Sequence, residues 1–200
     1  MSELLKISEI ARELGVLPST IRYYSELELI KPQKHTKGGQ RLYDLKTTKK
    51  LVRRIQHLVN NKGVPIREVK KYLQKKRVLV IDDEPEVGNL VSDIVAEINR
   101  QGKNEVEVQV VYDGFSAGKA LGEFLPDMVI LDLMLPGVNG FEVCQQIRKI
   151  EYLDGVKILA ITGYDSEENR QKIFAAGADD YLAKPMEVSV LKEKILSAIK

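Results

Sequence analysis

Apolar residues recur at the three- and four-residue spacing of amphipathic helices over the first 74 residues of the chain. Ile7, Ile10 and Leu14 define one face of a first short helix, which Gly15 ends. A second helix begins near Ser19, directly after a tight connection. Two short helices joined by a turn that contains glycine predict a helix-turn-helix.

A polar and basic segment, Lys31–Tyr43, follows these two helices. Its adjacent glycines, Gly38 and Gly39, suit the tip of a hairpin, so the segment predicts a β-wing whose arms carry cations. A third helix with Asp44 as its N-cap and a fourth helix beginning at Pro65 complete this region. The fold predicted for the first half is an all-α winged helix-turn-helix.

Continuous apolar runs replace the helical spacing in the second half of the chain. The run Val78–Ile81 is typical of a strand that is buried on both faces. Further strands are predicted at residues 106–110, 128–131, 158–161 and 181–183. Because helical segments separate these strands, the second half predicts an α/β doubly wound, five-stranded parallel sheet of the flavodoxin type, with strand order 2-1-3-4-5.

Polar side chains stand at the ends of four of the predicted strands: Asp82 and Asp83, then Asp132, Thr162 and Lys184. The carboxyl ends of neighbouring parallel strands meet at one edge, where such folds form their sites. Three carboxylates crowded there repel one another unless a cation compensates, and Mg²⁺ prefers oxygen ligands. A carboxylate beside the metal can attack a phosphoryl group, which the hydroxyl and the ammonium would then bind. The pattern predicts a phosphorylatable aspartate.

The charge of the chain is divided unevenly between its halves. Residues 1–76 hold 18 lysines and arginines against 7 aspartates and glutamates, whereas residues 77–200 hold 13 against 22. A net charge of +11 followed by one of −9 indicates a polyanion-binding segment joined to an acidic module, although a solvated basic surface is an alternative. No apolar run approaches the length of a membrane span, and the single cysteine fits a reducing, cytoplasmic location.

The first half resembles the DNA-binding domain of the MerR family through ISEIARELGV, STIRYYSELELI and GGQRLY, over about residues 4–74. The resemblance implies that the second helix enters the major groove of DNA while the wing holds the backbone. The residues that it implies as DNA contacts are Ser19, Thr20, Arg22, Tyr23, Lys37, Arg41 and Tyr43, with Tyr24 either a contact or a core residue. The long dimerisation helix usual in that family is missing, because an apolar strand follows directly.

The second half resembles the receiver domain of two-component response regulators through VLVIDDEPEV, DMVILDLMLPGVNGFEV, ILAITGY and GADDYLAKP. The resemblance implies that Asp132 is the phosphoacceptor and that Lys184 precedes a cis peptide bond. The other implied roles are Mg²⁺ binding by Asp82, Asp83, Asp132 and the backbone carbonyl of Met134, phosphoryl contacts by Thr162 and Lys184, and an aromatic switch at Tyr181.

Together these resemblances predict two domains, residues 1–75 and 77–200, with almost no linker between them. We expect a regulator rather than an enzyme, in which a histidine kinase or phosphotransfer protein phosphorylates Asp132 and a receiver-mediated homodimer then binds DNA. One alternative is a phosphorelay or adaptor protein whose helix-turn-helix binds protein. Another is an aspartyl phosphatase, but such enzymes need an aspartate two positions after the nucleophile, where Met134 stands.

Overall fold

The computed structural model describes residues 3–102 and 105–199 of the chain. The chain folds into two compact units, Met1–Gln74 and Lys75–Lys200. Among the described residues, no helix combines the length and the apolar character that crossing a membrane requires.

The first unit combines short helices with a small sheet. Its described elements are β1 (Leu4–Lys6), α1 (Ile7–Glu13), α2 (Pro18–Glu26), β2 (Lys34–His35), β3 (Arg41–Asp44), α3 (Leu45–Gln56), a π-helical turn (His57–Asn61) and α4 (Ile66–Gln74). The strands pair antiparallel in the order β1-β3-β2. The unit is therefore not strictly all-α. The sequence predicts the β2–β3 wing but not β1, which at three residues is too short to show an alternating pattern.

Local sequence signals fix the ends of several of these elements. The β2–β3 hairpin turns at Gly39, whose φ of 76° lies in the left-handed region that glycine adopts without strain. The Oδ1 atom of Asp44 accepts a hydrogen bond of 2.8 Å from the backbone N–H of Thr47, which confirms the predicted N-cap of α3. The core between the helices is aliphatic, with Ile10, Ile21 and Ile55 fully buried among them.

The second unit is a parallel sheet between two layers of helices. Its described elements are β4 (Lys76–Ile81), α5 (Pro85–Gln101), β5 (Val106–Val111), α6 (Gly114–Phe124), β6 (Met128–Asp132), α7 (Gly140–Lys149), a 3₁₀ turn (Glu151–Leu153), β7 (Lys157–Thr162), α8 (Glu167–Ala175), β8 (Asp180–Ala183) and α9 (Val188–Ala198). The strand order β5-β4-β6-β7-β8 confirms the predicted 2-1-3-4-5 topology. The central strands β4, β6 and β7 are almost entirely buried, as their unbroken apolar runs predicted.

The basic run between the two units belongs to the second one. The ammonium of Lys75 lies 2.7 Å from a carboxylate oxygen of Glu107 and 3.3 Å from one of Glu105. Arg77 is buried in β4, and its Nε lies 3.0 Å from Glu107. These cations neutralise acids of the parallel-sheet unit, so the first unit keeps 16 lysines and arginines against 7 acids, a net charge of +9.

Candidate phosphorylation site and basic surface

Three aspartates converge at the carboxyl end of the parallel sheet. Ile81 of β4 lies opposite Leu131 of β6 in the parallel register, so the residues after them, Asp82 and Asp132, emerge side by side. One carboxylate oxygen from each of these two and one from Asp83 lie within 4.8 Å of one another. Asp82 and Asp132 are buried, whereas Asp83 is exposed, which leaves the cluster open to solvent on one side.

Lys184 brings a positive charge to this cluster from the end of β8. Its Nζ lies 2.7 Å from Oδ2 of Asp132, 3.2 Å from Oδ2 of Asp82 and 3.2 Å from Oε2 of Glu84. Burial acts to lower the pKa of Lys184, but the hydrogen bond to Asp132 and the two buried carboxylates outweigh it and raise the pKa. The side chain is therefore held as an ammonium, and the peptide bond that joins it to Pro185 is cis.

The cluster has unused capacity for a cation. Burial raises the pKa of Asp82, and the nearby charge of Asp132 raises it further, against a hydrogen bond from the backbone N–H of Glu84. The Oδ2 atom of Asp82 is buried and accepts no hydrogen bond within the described chain, although the ammonium of Lys184 is near. A buried carboxylate oxygen in this state is costly. A hard divalent cation relieves both the repulsion and the unmet acceptor, so these residues fit Mg²⁺.

The backbone around Asp132 is tightly packed. Its Oδ1 accepts a hydrogen bond of 2.8 Å from the backbone N–H of Met134. Gly140, the first residue of α7, lies directly against this loop: a Cβ there would stand 2.7 Å from the carbonyl oxygen of Asp132 and 2.4 Å from Cα of Leu133. Asn139 caps the same helix by accepting from the N–H of Phe141 at 3.0 Å. The start of α7 therefore packs directly against the backbone of Asp132 and limits its movement.

Thr162 ends β7 and is buried, and its hydroxyl makes local hydrogen bonds. The backbone N–H of Tyr164 donates to Oγ1 at 3.1 Å, and the hydroxyl lies 3.2 Å from the carbonyl oxygen of the same residue. Asn169 of α8 also donates to Oγ1, at 3.3 Å. Tyr181, half-buried on β8, packs its ring against the edge of Phe174 at 5.9 Å. The sequence singled out Thr162 and Tyr181 but gave no signal for their partners on α8.

The first unit presents an exposed basic surface. Ser19, Arg22 and Tyr23 of α2 are exposed, as are Lys37 and Arg41 of the wing, while Thr20 is half-buried. Three cations from different elements, Lys6, Arg22 and Arg41, line one cavity of about 320 Å³ together with Ser8 and Gln40. Lys6 is absent from the sequence prediction because β1, which positions it, was not expected.

Two tyrosines of the predicted surface are core residues instead. Tyr43 is 0% exposed, and its hydroxyl forms a hydrogen bond of 2.9 Å with Oγ of Ser25. The prediction that Tyr43 contacts DNA is therefore wrong: its place in β3 turns the ring into the helical core. Tyr24, for which both roles were open, is also buried. Burial is the main cause that raises the pKa of Tyr24, and the neighbouring Tyr23 raises it further.

Models of known families match both units. The model of the response regulator receiver domain matches residues 78–196, and that of the MerR helix-turn-helix family of regulatory proteins matches residues 5–76. The chain is 35% identical over 124 residues to the DNA-binding dual master transcriptional regulator RpaA of Synechocystis. It is 34% identical, over the same length, to the transcriptional regulatory protein YrkP of Bacillus subtilis. Each match covers 62% of this chain, which spans about half (49%) of the length of either relative.

Solved structures show the same receiver fold. The signal receiver domain of a DNA-binding response regulator from Colwellia psychrerythraea superposes with a TM-score of 0.56 at 27% identity, covering 61% of this chain and 96% of that one. The chemotaxis response regulator CheY4 of Vibrio cholerae gives a TM-score of 0.55 at 26% identity, covering 62% and 98%.

Proposed function

The chain belongs to the response regulator receiver family, and we propose that it is a two-component response regulator whose receiver controls DNA binding by the MerR-like unit. The observation that carries this proposal is the cluster of three aspartates with the ammonium of Lys184 at 2.7 Å from Asp132. A regulator agrees with the family better than an enzyme does. A phosphatase of the aspartyl type needs an acid two positions after the nucleophile, and the thioether of Met134 cannot transfer a proton.

Asp132 is the proposed phosphoacceptor. One of its carboxylate oxygens attacks the phosphorus of a phosphohistidine on the donor kinase or phosphotransfer protein, so an O–P bond forms while the N–P bond breaks and the imidazole leaves. Lys184 already contacts Asp132 and is placed to bind the oxygens of the new phosphoryl group. Mg²⁺ bound by Asp82, Asp83, Asp132 and the carbonyl of Met134 would neutralise part of the phosphoryl charge.

Phosphorylation changes the charge of the cluster and the partners of Thr162. The phosphoryl group adds about −1.5 to −2 charges beside Lys184. Its oxygens are strong acceptors, and the hydroxyl of Thr162 is proposed to donate to one of them. The resulting change reaches Tyr181 and the face formed by α8, β8 and α9. Phe174 of α8 is 48% exposed and Val188 of α9 is 52% exposed, so two of these elements carry exposed apolar side chains, which supports the proposed homodimer interface.

DNA is the proposed target of the first unit. Its net charge of +9 and the exposed cations of α2 and the wing supply the electrostatic attraction on which duplex binding depends. Among the described residues, the cavity lined by Lys6, Arg22 and Arg41 has no carboxylate in its lining, which suits a backbone phosphate. Two such units in a receiver-mediated dimer would bind one operator with avidity, in place of the missing dimerisation helix.

Phosphorylation from a small acyl phosphate in the presence of Mg²⁺ tests the receiver. We expect the wild-type chain to take up phosphate and Asp132→Asn to take up none, because the amide is not a nucleophile. Asp93→Asn, on the exposed side of α5, removes the same charge and should be labelled like the wild type. Label retained by the Asp132→Asn chain would contradict the assignment of the phosphoacceptor.

A gel shift against a random duplex at two salt concentrations tests the DNA-binding unit. Binding that weakens steeply as salt rises is expected of a protein that neutralises backbone phosphates. No binding to duplex at the lower salt concentration would favour the alternative in which the helix-turn-helix binds a protein partner.

A further inference from the structure

One short segment of α8 contacts both residues that the receiver is proposed to move. Asn169 donates to the hydroxyl of Thr162, and Arg170, the next residue, stands over the ring of Tyr181 with its guanidinium carbon 5.5 Å from the ring centroid. We propose that Asn169, Arg170 and Phe174 form a latch, here called the α8 latch, that holds Thr162 and Tyr181 in their unphosphorylated arrangement. This inference rests on the proposed function of the receiver.

The hydroxyl of Thr162 has no free hydrogen-bonding capacity in this arrangement. A hydroxyl has one proton to donate and two lone pairs to accept with. The proton points to the carbonyl of Tyr164, and the lone pairs accept from the N–H of Tyr164 and from Nδ2 of Asn169. Thr162 can therefore donate to a phosphoryl group on Asp132 only by giving up the Tyr164 carbonyl, and rotation of its side chain also removes Oγ1 from Asn169.

Asn169 is itself held in a fixed orientation. Its Nδ2 donates to the carbonyl of Tyr164 at 2.6 Å, and because that oxygen can only accept, this contact fixes which end of the amide carries the protons. The backbone N–H of Asn169 donates to Oγ of Ser166, the N-cap of α8, at 3.1 Å. Hydrogen bonds of Asn169 with Thr162, Tyr164 and Ser166 therefore hold the loop between β7 and α8 against the start of α8.

Asp165 orients the guanidinium of Arg170, which stands over the ring of Tyr181. Its Nε and one terminal nitrogen bind the two carboxylate oxygens of Asp165 at 2.8 and 2.9 Å, a forked pairing that sets the plane of the guanidinium. The hydrogen bond from Arg170 also lowers the pKa of Asp165, so this acid stays charged at neutral pH. Phe174, one turn further along α8, also contacts this tyrosine ring, in an edge-to-face arrangement with the ring centroids 5.9 Å apart. Two residues of α8 therefore contact Tyr181.

The two contacts act on one face of the sheet. Tyr181 of β8 lies opposite Ala160 of β7, and Thr162 is two residues further along β7, so both side chains point to the side that α8 covers. Ile173 is the only one of the nine residues of α8 that is buried. Because so little apolar surface anchors α8, polar contacts at its start account for much of its attachment, and the helix can shift when they break.

The latch predicts tighter binding of a phosphoryl mimic when it is removed. If Arg170 stabilises the unphosphorylated arrangement, its loss raises the fraction of receiver that is ready to bind, and apparent affinity rises with that fraction. For Arg170→Ala in the full chain, we expect beryllofluoride with Mg²⁺ to bind about two- to five-fold more tightly, the range that a cation–π contact at an exposed site supplies. Asn169→Ala should act in the same direction, because Thr162 then loses one of its donors.

Lys172→Ala provides the matched control for a calorimetric titration with beryllofluoride and Mg²⁺. It removes one cation from the same helix, where the ammonium of Lys172 pairs with Glu168 at 2.7 Å. Its affinity should equal that of the wild type. A second readout is the NMR signal of the Tyr181 ring, which in the unliganded Arg170→Ala chain should shift toward its position in the beryllofluoride complex.

Three outcomes would overturn the proposal or its premise. Arg170→Ala that binds the mimic like Lys172→Ala would leave the receiver assignment standing but would overturn the latch. A lower melting temperature of Arg170→Ala without tighter binding would show a merely structural role for Arg170 and overturn the latch as well. A wild-type chain that does not bind beryllofluoride at all would overturn the proposed function on which the latch rests.

Discussion

The two units of the chain place their functional groups in opposite environments. In the receiver, Asp82, Asp132 and Thr162 are buried at strand ends, and the start of α7 packs against the backbone of Asp132. In the helix-turn-helix unit, the cations Arg22 and Lys37 stand on exposed surface above an aliphatic core. Function and stability should therefore be coupled in the receiver and separable in the helix-turn-helix unit.

Two separate substitutions, Tyr43→Ala and Tyr23→Ala, give the sharpest test of which tyrosine of the first unit is a core residue and which is exposed for binding. Tyr43→Ala should lower the free energy of unfolding of this unit by about 3–5 kcal/mol, because it empties a core position. Tyr23→Ala, at a side chain that is 46% exposed, should barely change stability and should weaken duplex binding. Thermal unfolding and a fluorescence-anisotropy titration with duplex DNA measure the two effects.

A fully folded Tyr43→Ala chain with weakened DNA binding would reverse this assignment and restore Tyr43 as a contact. Tyr43→Phe serves as the milder variant, because it keeps the ring and removes only the hydrogen bond to Ser25. The loss of that bond should cost about 0.5–1.5 kcal/mol of stability and leave DNA binding unchanged.

A single methyl group tests the coupling of site and core in the receiver. Gly140→Ala places a Cβ against the backbone of Asp132 and Leu133, which cannot move without displacing Asp132, the proposed phosphoacceptor. We expect a loss of about 1–3 kcal/mol in unfolding free energy, together with slower phosphorylation from an acyl phosphate.

Gly118→Ala is the matched control for that substitution. Gly118 lies on the exposed side of α6, and a Cβ added there would have no atom within 4 Å of it. Alanine at this position should raise stability by about 0.5–1 kcal/mol and leave phosphorylation unchanged. Equal phosphorylation rates for the Gly140→Ala and wild-type chains would show that the start of α7 does not position Asp132.

Lys6→Ala should produce the smallest effect, and only on binding. If Lys6, Arg22 and Arg41 share one DNA phosphate, the loss of Lys6 should reduce the slope of log affinity against log salt by about one. Unfolding should not change, since the side chain is exposed. Lys71→Ala, an exposed position on α4 outside this cavity, controls for the change in net charge, and an equal slope for the two variants would remove Lys6 from the interface.

The sequence located the strand-end cluster of the receiver better than the exposed surface of the first unit, for a physical reason. In a parallel sheet, the residue after each apolar run must reach the same edge, so Asp82, Asp132 and Lys184 can be located by counting along the chain. Near a helical core, an aromatic residue can point inward or outward, and a resemblance to known proteins did not separate Tyr43 from Tyr23. Burial decided between them.

Contacts between segments that are distant in the chain, or that have no regular hydrophobic pattern, could not be predicted from the sequence. Arg170 lies in the polar run EENRQK, which has no apolar period, and its contact with Tyr181 depends on how α8 settles on the sheet. The charge pattern along the chain places Lys75 in the basic half, whereas its partners, Glu105 and Glu107, follow much later in the chain, on β5 or just before it.

The most direct test of the account is the affinity of the full chain for DNA with and without beryllofluoride and Mg²⁺. A labelled duplex, titrated at constant salt, should be bound about ten-fold more tightly or better in the presence of the mimic, the size of coupling typical of regulated proteins. Asp132→Asn should show no such change. An affinity of the wild-type chain that is the same in both conditions would contradict control of DNA binding by the receiver.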